Sequence, residues 1–190
     1  FVTERINNQL LVLNPITFEL VGSAETGLQP WGIVINEGTN RAYVANYGSG
    51  DVSIYDATTL DLLKTVVVGG EPVLMEILPD QDLVFVVVRE GSKIAIIDGD
   101  TVSQIANSGG SGPYGIAADP VNQRVYVSHR DSRNISMLTQ SSGIWSAQSQ
   151  VQYDSESHLF ELAYNAINEK LYAVYADTYR ALEPLFPRLG

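Results

Sequence analysis

One phrase of sequence returns at a nearly fixed interval, and that interval restricts the fold more tightly than any single residue. Pro30-Trp31-Gly32-Ile33-Val34-Ile35-Asn36 runs into Asn40-Arg41-Ala42-Tyr43-Val44-Ala45-Asn46. Pro113-Tyr114-Gly115-Ile116-Ala117-Ala118-Asp119-Pro120 runs into Asn122-Gln123-Arg124-Val125-Tyr126-Val127-Ser128. Weaker copies span Pro72 to Val88 and Leu159 to Val174. The aromatic that follows each small turn falls at Tyr43, Phe85, Tyr126 and Tyr172, giving spacings of 42, 41 and 46 residues. Counting back 42 from Tyr43 reaches Phe1, and Gln9–Asn14 precedes Asp51–Asp56 by the same 42 residues.

Each unit reads as short strands joined by turns. In the clearest, Gly32–Asn36 is continuously apolar, as a buried inner strand should be. Glu37-Gly38-Thr39-Asn40 supplies turn residues before a second strand, Arg41–Asn46. Tyr47-Gly48-Ser49-Gly50 turns the chain into Asp51–Asp56, where Val52 and Ile54 alternate with Ser53 and Tyr55. Leu62–Val68 completes a fourth strand. A sheet of about 42 residues cannot bury both faces alone. Sheets standing face to face around an axis solve that problem, which predicts an all-β, antiparallel β-propeller. A β-sandwich with accidental internal similarity does not account for so strict a register.

The units divide the chain into a half blade over 1–29, blades over 30–71, 72–112 and 113–157, and a half blade over 158–177. The tail 178–190 carries Pro184 and Pro187 and does not read as a central strand. Two half blades and three whole ones suggest a four-bladed ring, but both halves carry a second strand, so they overlap rather than fit. An arc of a longer propeller is the expectation, with the remaining blades outside it. Phe1 opens the chain without an initiator Met and its first residues already read as repeat, so the expectation is that processing or incomplete coverage removed the true start.

Composition narrows the function classes. The 22 acidic against 11 basic residues, a formal charge of -11, leave no basic footprint for nucleic acid. No apolar run approaches the length of a membrane helix, so membrane insertion is not expected. The absence of cysteine removes disulfides, thiolate metal sites and cysteine nucleophiles. Asn134-Ile135-Ser136 forms a glycosylation triplet of a kind common by chance.

Tyr43-Val44-Ala45-Asn46 followed by Asp51-Val52-Ser53-Ile54-Tyr55-Asp56 resembles the YVTN-type β-propeller repeat. Tyr126-Val127-Ser128-His129 is similar but further from it, and Phe85-Val86-Val87-Val88 further still. The resemblance implies a propeller that is typically seven-bladed and a setting at the cell surface or outside the cell. It also implies a binding or surface-layer role. Related propellers include lactonases and domains of copper and haem enzymes.

Two sets of loops share one rim of such a propeller. The residue after each blade-opening proline is Trp31, Val73, Tyr114 and, with the longer spacing, Phe160. The loops after the second strands contribute Glu4 and Arg5, Asn46 and Tyr47, Arg89 and Glu90, His129, Arg130 and Asp131, and Asp177. Aromatics and arginines gathered on one rim suit a protein or glycan partner. The partner-binding candidates are Trp31, Tyr47, Arg89, Tyr114, His129, Arg130 and Phe160; aromatics there also suit packing between blades.

No catalytic residue, metal site or cofactor is expected. His129 and His158 lie 29 residues apart without ligand-like spacing and read as exposed loop histidines. Asp56, Asp98, Asp119, Asp80 and Asp82 recur at turns, which aspartate closes by bonding its own backbone. A calcium site lacks the dense spacing it needs. Gly110-Ser111-Gly112 lacks the strand-turn-helix setting of a nucleophile elbow, and Gly109–Gly112 lacks the lysine of a phosphate loop. Gln140–Ser157 is longer than its counterparts and predicts an extended outer strand or hairpin, a possible lateral contact site. The expected role is a non-enzymatic binding or scaffold module. The alternatives are a lactonase-like or oxidoreductase-associated propeller with a metal or cofactor at its channel, and a structural layer or filament subunit.

Overall fold

The protein is described by a computed structural model covering residues 1–153 and 158–175. Asp177, the tail 178–190 and the last residues of the Gln140–Ser157 stretch lie outside the described residues. Blade one contains β1 (Val2–Glu4), β2 (Gln9–Leu13) and β3 (Leu20–Glu25). Blade two contains β4 (Pro30–Asn36), β5 (Arg41–Asn46), β6 (Asp51–Asp56) and β7 (Leu62–Val67). Blade three contains β8 (Pro72–Leu78), β9 (Leu83–Val88), β10 (Lys93–Asp98) and β11 (Thr101–Asn107). Blade four contains β12 (Pro113–Asp119), β13 (Arg124–His129), β14 (Asn134–Ser141) and β15 (Ile144–Gln152). Blade five contains β16 (Leu159–Asn165) and β17 (Lys170–Tyr175).

Each blade is an antiparallel meander paired in sequence order. The four ruler aromatics therefore lie in four different sheets rather than one. The first strand of each sheet abuts the first strand of the next: β4 meets β8, β8 meets β12, and β12 meets β16. This is the arrangement of blades around an axis, and the fold is a β-propeller.

One apolar cluster fills each gap between blades. Leu10 joins Val44 and Tyr55 between blades one and two, and Tyr43 and Ile54 join Met75, Val84 and Val86 between two and three. Phe85 and Ile96 join Val125, Val127 and Trp145 between three and four, and Tyr126 joins Leu162 and Leu171 between four and five. The ruler aromatic is thus the side chain each blade lends to its successor. Phe85 is fully buried and meets Trp145 edge to face at 4.8 Å. Burial of such a ring contributes about 2–3 kcal/mol, and the ring pair about 1 kcal/mol more.

The alternation expected in β6 holds, with Val52 and Ile54 facing blade three and Tyr55 facing blade one, and both faces are covered. Val52, Ser53, Ile54 and Tyr55 are all buried, because a middle blade has a neighbour on each face. The long stretch in blade four forms a hairpin, β14 and β15, turned at Ser142-Gly143 with positive φ at both residues.

The opening strand of blades two to five shares one irregularity. Pairing to the second strand is broken between Pro30 and Ile33, Pro72 and Met75, Pro113 and Ile116, and Leu159 and Leu162. The two residues after the opening position leave the ladder, and their carbonyls need other partners. The Thr3 hydroxyl donates to the Trp31 carbonyl at 2.7 Å, and the Ser128 hydroxyl to the Phe160 carbonyl at 3.0 Å. Each bond ties one blade to the next. Gly32 and Gly115 complete the approach, since a Cβ at either would strike the carbonyl of Val73 or Phe160.

Candidate binding rim

The bulged opening strands place Trp31, Tyr114 and Phe160 at the axis end of their blades. The ring contacts demonstrate this. Trp31 and Tyr114 belong to blades separated by a third, yet their rings meet edge to face at 6.4 Å. Only residues near the axis reach across an intervening blade. That blade carries the smaller Val73, which is fully buried. Tyr114 continues the row to Phe160 at 5.3 Å, and Trp31 extends it to Tyr47 at 5.6 Å. All four rings are half-buried.

Both loop sets meet here as the repeat requires. The backbone N–H of Tyr47 donates to the Gln29 carbonyl, that of Arg89 to Glu71, and that of Arg130 to Gly112, at 3.1, 3.0 and 2.8 Å. Each acceptor is the residue before a blade-opening proline. Glu71 also accepts a hydrogen bond from the Tyr47 hydroxyl, which pushes the phenol pKa up, and it lies 3.8 Å from Arg89. The Arg5 guanidinium stacks over Trp31 at 4.4 Å and over Tyr47 at 5.2 Å. Exposed cation–π pairs of this kind contribute about 0.5–1 kcal/mol each.

Trp31, Tyr47, Tyr114, Phe160 and Arg89 therefore come together in one surface. Arg130 turns aside to Asp131, 3.2 Å away. His129 does not join the rim. Its side chain is fully buried, with Nδ1 at 3.3 Å from the Asn134 carbonyl. Its Nε2 is shut off from solvent near the Ser108 backbone, without a partner at hydrogen-bonding geometry. Burial holds its pKa down at about 4, so the ring is neutral at physiological pH. The expectation of an exposed loop histidine fails for a positional reason. His129 occupies the last residue of a second strand, the place of Asn46 in blade two. Asn46 is likewise fully buried, and its amide donates to Asp51 at 2.6 Å and Ser53 at 2.8 Å. His158 is exposed and faces the Arg130 carbonyl at 3.3 Å.

Two of the turn aspartates, Asp56 and Asp119, close their turns as sequence chemistry dictates, whereas Asp82 accepts from the Asn36 side chain of the preceding blade. Asp56 accepts the N–H groups of Thr58 and Thr59, each at 2.8 Å, and these bonds lower its pKa. Asp119 accepts the Asn122 N–H at 3.1 Å. Among the described residues no three His, Cys, Asp or Glu side chains gather in a way that holds a metal ion. The glycosylation triplet is closed as well: Asn134 is 1% exposed and its amide donates to the Gly109 carbonyl. Sequence reasoning left Gln29 and Glu71 out of the rim. Their signal was available in their place directly before Pro30 and Pro72.

No family model matches the chain. An uncharacterized protein, YncE, of Salmonella typhi is 28% identical over 162 residues, covering 78% of this chain and 45% of that protein. The YncE of Escherichia coli O157:H7 is 25% identical over the same length. The chain thus spans a little under half the length of the curated relatives it matches. Among solved structures, Kuenenia stuttgartiensis hydrazine synthase superposes with a TM-score of 0.81 at 19% identity, covering 90% of this chain and 50% of that one. A functionally unknown protein from Desulfotomaculum acetoxidans gives 0.78 at 15% identity, covering 90% and 57%. The dihydro-heme d1 dehydrogenase NirN in complex with DHE gives 0.68 at 14% identity, covering 96% and 42%. These likenesses concern the fold alone.

Proposed function

We propose that this chain is part of a non-enzymatic binding module of the YVTN-like kind, which presents its axis-end rim to a protein or glycan partner at the cell surface. The observation that carries this reading is the continuous row Tyr47–Trp31–Tyr114–Phe160, half-exposed and braced by Arg5. Large rings held rigid before contact lose little freedom when a partner docks, and tryptophan, tyrosine and arginine dominate binding hot spots. The scaffold supplies the rigidity, since Trp31, Tyr114 and Phe160 grow from the bulges of opening strands and the Tyr47 N–H is bonded to the Gln29 carbonyl.

Further blades belong to the proposal. Val2 and Phe18 are 44% and 75% exposed, whereas Val44, the equivalent of Val2 in blade two, is fully buried against blade one. Tyr172 is only half-buried, while Tyr43 and Phe85 are covered completely by the blade that follows each. Both end blades thus carry interface side chains without an interface, and a longer propeller of seven blades covers them.

The experiment is a screen of the full-length protein against a glycan array and a panel of surface proteins, repeated with Trp31→Ala/Tyr114→Ala. The expected result is a partner retained by the wild type and lost by the double variant. A partner held equally by both overturns the rim assignment. The reading of a cofactor-bearing propeller ranks second. Neither histidine joins the aromatic row, and the carboxylate described beside it, Glu71, is engaged by Tyr47 and Arg89.

A further inference from the structure

Three rim arginines come from blades one, three and four, and one of them lacks an acid among the described residues. Arg89 has Glu71 and Arg130 has Asp131. Arg5 has no carboxylate within ion-pair distance among the described residues. Its neighbour Glu4 is already engaged, accepting the N–H groups of Ile6 at 3.0 Å and Asn7 at 2.8 Å. Among the described residues the side-chain hydrogen bond from Arg5 runs from Nη2 to Gln29 Oε1 at 3.0 Å. A guanidinium has five N–H donors in a planar fork, so most of the fork remains open. Arg5 is exposed, yet it is held in place by Gln29 and by the faces of Trp31 and Tyr47. Gln29 is itself anchored, its N–H donating to Asn8 Oδ1 at 2.7 Å.

We propose that Arg5 receives a carboxylate of a protein partner, an Asp or Glu side chain flanked by apolar residues that settle against Trp31, Tyr114 and Phe160. This rests on the rim reading above. A single fork matches a carboxylate in two parallel bonds, whereas phosphate-binding sites gather several arginines. Glu71, beside Tyr47, also disfavours a dianion. Ring geometry selects a peptide over an acidic sugar. The Trp31–Tyr114 and Tyr114–Phe160 pairs cross at 88° and 70°, leaving clefts between edges rather than one flat platform. One face of Trp31 is already taken by Arg5. Side chains fill clefts; a sugar ring needs an open face.

The test uses the full-length protein and two probes, N-acetyl-Leu-Asp-Phe-amide and its isostere N-acetyl-Leu-Asn-Phe-amide, followed by amide chemical shifts at millimolar peptide. The Asp probe should bind about tenfold more tightly than the Asn probe, as a charge-assisted pair predicts. That preference should vanish in Arg5→Gln, shrink in Arg5→Lys and fade at high salt. Trp31→Ala should weaken both probes. Equal binding of the two probes by the wild type overturns the carboxylate assignment while leaving the rim intact. Failure of Trp31→Ala to affect either probe overturns the rim itself. Absence of binding by both probes, or tighter binding of an oligogalacturonate, overturns the choice of a peptide.

Discussion

Lowering the pH from 7 to 5 should destabilise this protein through His129, and the size of the effect follows from its burial. The neutral ring fits a closed pocket between Asn134 and Ser108, and a charged ring does not. Its pKa falls from 6.5 to about 4 on folding. The unfolded chain therefore binds the proton first. The stability this residue contributes is complete above about pH 6.5 and drains away as pH falls towards 4. At one pH unit per 1.36 kcal/mol, the loss between pH 7 and 5 is about 2 kcal/mol, within a total of about 3 kcal/mol at lower pH. His129→Asn restores the residue that blade two uses at this place and removes the titration. Urea unfolding of both proteins at several pH values supplies the comparison, because every other group titrates alike in the two. The variant's stability should fall less by about 2 kcal/mol over this range. Parallel profiles refute the argument, as does a His129 imidazole resonance, assigned by its loss in His129→Asn, that titrates near 6.5 in the folded protein.

Further outcomes follow from the blade contacts. Gly115→Ala drives a methyl group into the Phe160 carbonyl and should cost about 1–3 kcal/mol or more in urea unfolding, whereas an exposed glycine such as Gly143 should tolerate alanine better in space though not in φ. Phe85→Ala empties the interface between blades three and four and should cost about 3–5 kcal/mol by the same assay. Ser128→Ala removes a bond between blades four and five, and about 1 kcal/mol of loss is expected. In the full-length protein Val2→Asp should cost several kcal/mol if another blade covers that face; a thermal shift within the range of ordinary surface substitutions overturns the proposal of further blades.

Several features were legible in the residues because they depend on spacing. The turn aspartates are an example: Asp56 needs only the N–H groups two and three residues on, and these are local by construction. Trp31, Tyr114 and Phe160 were legible as a set because the repeat places them alike. Arg5 was visible as a rim position but not as the brace of Trp31 and Tyr47, since its partners lie more than twenty residues away in another blade. His129 was misjudged because polar residues at strand ends usually meet water. Here the turn folds back and Gly110 lies against the ring, which excludes it.

The sequence by itself determined the period, the strands and the side chains that each blade lends to the next, because those properties repeat with the chain and need no distant partner. The tertiary structure alone decided which polar groups lose contact with water and which of the three described rim arginines has no acid beside it. Burial and pairing are set by what stands across the gap between blades, and a residue carries no local record of its neighbour's blade.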